Sequence, residues 1–126
     1  GAQAQEALLR REILSIEAAL EMELPTETRE AIEALATAYS RAGSHELSRD
    51  TRALAVTTSN HAPGPTLRYA AVLIDNGRLR AAESILVDAL RNAPENVALL
   101  AELGRVYLIE QDFSRGQGVV RRLETV

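Results

Sequence analysis

Apolar positions recur along this chain at the three- and four-residue steps that put side chains on one side of a helix. Over residues 3–23 that side is Leu8, Leu9, Ile13, Ile16 and Leu20, with Leu24 following, and Pro25 ends the pattern. A second stretch, 26–42, carries Ile32, Leu35, Ala36 and Tyr39 and stops at Gly43, a residue free to take the left-handed conformation past a helix end. Ser44 then offers an N-cap oxygen to a helix over 45–59. The punctuation returns further on. A helix over 65–76 stops at Asn76–Gly77, and one over 79–92, with Ile85, Leu86, Ala89 and Leu90, is ended by Pro94. Asn96 caps 97–110, and Asp112 caps 113–126 with Val119, Val120 and Leu123. No stretch alternates with period 2, so the pattern predicts seven helices, no strands and an all-α fold.

These helices repeat. The stretches EALATAYSRAG (33–43), LRYAAVLIDNG (67–77) and AELGRVYLIEQ (101–111) align without a gap and at a constant period, each starting as far from the last as the next does from it. Leu35, Tyr69 and Leu103 are large, Ala36, Ala70 and Gly104 small, and Tyr39, Leu73 and Tyr107 large again; Gly43 and Gly77 recur, with Gln111 in the third copy. In the second half of the period Ala55 pairs with Ala89 and Leu79 with Phe113, where the first copy has His45. The junction SNHAPGP, with Asn60 where the second copy has Pro94, is the least regular segment. Helix axes approach to about 8–10 Å only where side chains are small, which places Ala36, Ala70, Gly104, Ala82 and Ala89 at helix crossings. One domain over 1–126 is expected: a helix at 3–24, then repeats at 26–60, 63–96 and 97–126, the last of them incomplete.

Leu100-x₂-Leu103-Gly104-x₂-Tyr107, with Leu100 in place of a tryptophan, and Ala82-x₃-Leu86 followed by Pro94, with Leu86 in place of a phenylalanine, resemble the tetratricopeptide repeat, two antiparallel helices in about 34 residues. Thr66, Tyr69, Ala70, Ser48 and Arg52 depart from its pattern. The resemblance covers about residues 29–126 and implies a right-handed superhelical α-solenoid whose first helices line a concave groove for a peptide or partner helix. Its register assigns to that groove Glu33 and Thr37, then Leu67, Ala71 and Ile74, then Ala101, Arg105, Leu108 and Ile109. The family's lysine- and asparagine-based carboxylate clamp has no match, since Glu33, Thr37, Leu67, Ala71 and Ala101 stand in its places.

Composition narrows the chemistry. There are 126 residues and 21 alanines, no cysteine, and arginine for every one of the 14 basic residues. Schiff-base, thiol and thiolate-metal chemistry are thereby excluded within this sequence. The formal charge is −4, and eight glutamates against three arginines concentrate −5 in residues 1–33. That balance argues against a nucleic-acid module, including the helical repeats that read RNA, because such binding needs a basic excess. Tyr39, Tyr69, Tyr107 and Phe113 are the aromatic residues, and the register places them in the core. The longest strongly apolar run, Tyr69 to Ile74, is far short of the ~18 residues a membrane helix needs, and there is no secretory signal.

No catalytic constellation, metal site or cofactor is implied. His45 and His61 fall at turns or helix starts; Glu46 and Asp50 beside Arg49 read as a solvated face, and so do Glu23, Glu27 and Glu30 around Pro25. Gly64 and the Gly116–Gly118 pair lack a phosphate-loop pattern and read as a turn and a close helix contact. The expectation is therefore a non-enzymatic protein-interaction scaffold. An alternative is self-association through the last helix, where Val119, Val120, Leu123 and Val126 gather near one side with no polar helix after them. Gly1 resembles a remnant of tag removal, which favours a piece of a longer protein. Arginine without lysine, with abundant alanine, points to a GC-rich bacterial genome, where similar modules serve assembly of envelope, pilus or secretion machinery.

Overall fold

The computed structural model describes residues 1–18 and 24–126, with side chains for 1–13 and 24–126. The described residues form seven helices and no strands: α1 (Ala2–Ala18), α2 (Thr26–Arg41), α3 (His45–Thr58), α4 (Pro63–Asp75), α5 (Leu79–Asn92), α6 (Val97–Ile109) and α7 (Phe113–Glu124). The all-α expectation holds. The remainder of the first expected helix, with Leu20, and the Ile16 side chain lie outside the described residues. α4 starts two residues earlier than expected, at Pro63. Both Pro63 and Pro65 fit there, because the first-turn positions of a helix have no intrahelical partner for an N–H. Gly64 consequently sits inside a helix, not in a turn.

The repeat is visible in the backbone itself. The N–H groups of Ser44, Arg78 and Asp112 donate to the carbonyls of Tyr39, Leu73 and Tyr107 at 2.9, 2.8 and 2.9 Å, closing three successive first helices in the same way. The residue before each donor is left-handed: Gly43 (φ 80°), Gly77 (φ 74°) and Gln111 (φ 59°). Asn96 and Asp112 cap as expected, accepting from the N–H of Leu99 at 3.0 Å and of Arg115 at 3.1 Å. Ser44 occupies the N-cap but makes no side-chain capping bond.

Two compact units, residues 1–60 and 61–126, divide the chain at the irregular junction, where Asn60 and His61 are both left-handed (φ 53° and 59°). In the first unit α2 pairs with α3, and α1 lies against α3. Ile32, Leu54 and Ala55 form its core, with Ile13 and Leu24 packed beside them. Leu35, expected on the buried side, is exposed. Polar residues at repeat positions have found partners. Ser48 stands where the second copy has Ala82, and its buried hydroxyl donates to the Ala36 carbonyl at 2.9 Å. Arg52 and Glu33 stand where the second copy has Leu86 and Leu67, and they pair at 3.5 Å. Arg10 of α1 pairs with Glu46 and, at 3.4 Å, with Asp50 of α3.

In the second unit α4 pairs with α5 and α6 with α7, while α6 also lies against α4 and α5. One continuous core results, built from Leu73, Leu86, Leu90, Leu99, Leu100, Leu103 and Val106 around the small residues Ala70, Ala82 and Ala89. All three alanines are fully buried, as their assignment to helix crossings requires. At Gly104 an added Cβ would stand 3.4 Å from Val119 Cγ1, so α6 and α7 meet there across a glycine. Thr66, where the third copy has Leu100, is completely buried, and its hydroxyl has no hydrogen-bond partner.

Candidate functional site

A groove of about 380 Å³ runs between α6 and α7. Ala101, Gly104 and Leu108 form one wall, and Phe113, Gly116, Val120 and Leu123 form the other. The sequence makes it by placing glycines at 104 and 116, where the two helices touch, and large apolar residues on either side of them. Asp112 and Gln117 contribute the polar part of the lining. Leu108 is 65% exposed, Phe113 62% and Val120 51%, so large apolar side chains face solvent within a concavity. Such surface is characteristic of recognition sites.

One end of this helix pair is held by a polar cluster. Arg115 of α7 reaches back to Glu83 of α5 at 3.1 Å and to Asp112 at 3.5 Å. Its guanidinium carbon lies 6.0 Å from the centre of the Tyr107 ring of α6. Burial of the Tyr107 phenol, and then Glu83 at its hydroxyl, push its pKa up to about 12. The phenol therefore stays protonated across the physiological range and acts as a neutral tie between α5, α6 and α7.

The residues assigned to a groove from the repeat register are distributed unequally. Ala101 and Leu108 line the α6/α7 groove. Ile109 is exposed on α6, and Arg105 pairs with Glu102 at 3.2 Å. On α4, Ile74 belongs to the core, Leu67 packs against that core, and Ala71 is half-buried. In the first unit Glu33 holds Arg52, and the Thr37 hydroxyl donates to the Glu33 carbonyl at 3.2 Å. Phe113, expected in the core, is at the surface, because its helix pair has no further described helix over it. The α7 wall was absent from the register-based assignment. Its signal lies in the cluster of Val119, Val120 and Leu123 on the last helix; all three line the groove, Val119 at its floor, buried against α6.

The histidines carry no constellation among the described residues. His61 stands 3.9 Å from Asp88, and His45 is exposed. Glu27 and Glu30 are exposed, and Glu23 lies outside the described residues. Among the described residues no group of three or more His, Cys, Asp or Glu side chains could hold a metal ion, and no helix is long and apolar enough to cross a membrane. Compared with protein-family models and with curated proteins, the chain matches none.

Proposed function

We propose that this chain is a non-enzymatic protein-interaction scaffold, a tetratricopeptide-like right-handed solenoid segment whose α6/α7 groove receives an apolar helix or short segment of another protein. The observation that carries this reading is the groove itself, with Leu108, Phe113 and Val120 open to solvent around two glycines. Supporting it are the recurrence of the turn hydrogen bonds once per period and the packing of α6 against both members of the preceding pair. A helix laid in by its apolar face satisfies such a groove, since it buries the exposed side chains and brings no unpaired backbone groups with it.

Affinity capture from the source organism, repeated with Leu108→Glu, tests it. The expected result is a captured protein that is lost in the variant while the melting temperature is unchanged. Undiminished capture by the variant would remove the groove from the binding surface. The exposure of Val120 and Val126 supports self-association as a second reading. Light scattering at high protein concentration decides between them, because a clean monomer rules out the dimer.

A further inference from the structure

The molecule contains a worked example of how its open groove is filled. Moving six of the groove residues back by one period turns Gly104, Leu108, Phe113, Gly116, Val120 and Leu123 into Ala70, Ile74, Leu79, Ala82, Leu86 and Ala89. Small residues fall on small and large on large, except that Leu123 replaces an alanine and Ala101, on the α6 wall, replaces Leu67. In the earlier pair this surface lies in the core shared with α6, the helix that packs on both α4 and α5. The α6/α7 groove is thus the next step of an interface already present in the fold. We propose that its occupant is a helix of α6's own design, supplied by a partner protein: about thirteen residues, with large apolar side chains in the spacing of Leu99, Leu100, Leu103, Val106 and Tyr107. This proposal rests on the scaffold reading above and specifies the ligand of that site.

Charge gives the partner helix a second property. α7 carries Arg115, Arg121 and Arg122 against Glu124, whereas α5 carries Arg80 and Arg91 against Glu83 and Asp88. Of these two second helices α7 is therefore the more basic, which favours an acidic helix over a basic one. The stretch Glu95–Asp112, α6 with its caps, already meets that description, with Glu95, Glu102, Glu110 and Asp112 against Arg105. A polar anchor is in place as well. Glu83 faces the Tyr107 hydroxyl of α6, and one period after Glu83 it is Gln117 that stands in the groove lining. A neutral amide both donates and accepts, so Gln117 takes a tyrosine or another uncharged polar group from the incoming helix.

The probe is a labelled peptide with the sequence of Glu95–Asp112, read by fluorescence anisotropy against the whole 126-residue chain, with a shuffled peptide of the same composition as its control. Saturable binding of the first peptide alone is expected. Leu108→Glu and Val120→Glu, both at exposed positions and checked for unchanged melting, should each weaken it about tenfold or more; Val97→Glu, an exposed apolar position outside the groove, should not. A photo-crosslinker replacing the peptide's tyrosine should label residues 113–123. Equal binding of both peptides would overturn the α6 design while leaving an apolar groove. Labelling within 79–92 would mean that the peptide had displaced α6, and would overturn the proposal. Absence of peptide binding also overturns it, and an apolar dye whose fluorescence falls in Leu108→Glu then shows whether the scaffold reading survives. A concentration-dependent dimer abolished by both groove variants would assign the site to a second copy instead.

Discussion

Ile74 and Leu108 stand one period apart, at the same place in successive helix pairs, yet Ile74 is 8% exposed and Leu108 65%. The two pairs, α4/α5 and α6/α7, share a backbone pattern down to the turn hydrogen bonds and a similar alternation of large and small residues. They differ in what lies on top, for α6 covers the first pair and no described helix covers the second. Side-chain identity alone therefore does not decide whether a position belongs to a core or a surface in a repeated structure; the next element does. Removing a large apolar side chain from water is worth about 1.5–3 kcal/mol. A large apolar side chain thus contributes stability in one pair and exposed apolar surface in the other.

Truncation should separate the pairs most sharply. Leu86→Ala, in the covered pair, is expected to cost about 2–5 kcal/mol through lost burial and a residual cavity. Val120→Ala, its counterpart, should stay within about 0.5 kcal/mol. Urea melts measure both, and a similar cost at the two positions would mean that α7 is also covered. Enlargement gives the next contrast. Ala82→Leu should overpack the crossing by about 1–3 kcal/mol, whereas Gly116→Ala should stabilise by about 0.5–1 kcal/mol. At Gly116 an added Cβ meets only the Tyr107 Cβ, at 4.0 Å, which is ordinary contact.

Alkaline titration examines the seam joining the pairs. The Tyr107 phenol is raised to about 12 in the folded chain from an ordinary value of 10.0. Its contribution is therefore complete below pH 10 and is lost as the pH climbs from 10 toward 12, where the unfolded chain releases the proton first. The melting temperature should fall more steeply across that window in the natural chain than in Tyr107→Phe. Smallest of all is the turn effect. Gln111→Gly relieves a side chain held at φ 59° and should add under about 1 kcal/mol, while Gly77→Gln should cost about the same. Thermal melts of the two variants should move in opposite directions.

Much of this was legible in the amino-acid order. Gly43 and Gly77 mark real left-handed turns, Asn96 and Asp112 cap, and Ala70, Ala82 and Ala89 lie at crossings, because each of these follows from chemistry within a few residues or one period. Groove residues were harder. The register carried Ile74 and Leu108 together, and only packing separates them. The repeat register makes Glu33 a groove residue and Arg52 a departure, but the two are one substitution, an ion pair standing where the second copy has Leu67 and Leu86. Paired replacement of that kind leaves no periodic trace, since each partner looks foreign in its own helix. Phe113 was misplaced for the reason that governs Leu108: its helix pair ends the described stack.

An open groove also makes the fold's stability a property of its surroundings. A helix that binds the folded chain and not the unfolded one adds RT ln(1 + [L]/Kd), about 2.7 kcal/mol at a hundredfold excess over Kd. Such a gain is comparable with the loss expected from truncating a buried leucine. The unfilled space between α6 and α7 would then act as a thermometer for its partner, so that a rise in melting temperature identifies the right helix before any complex has been isolated.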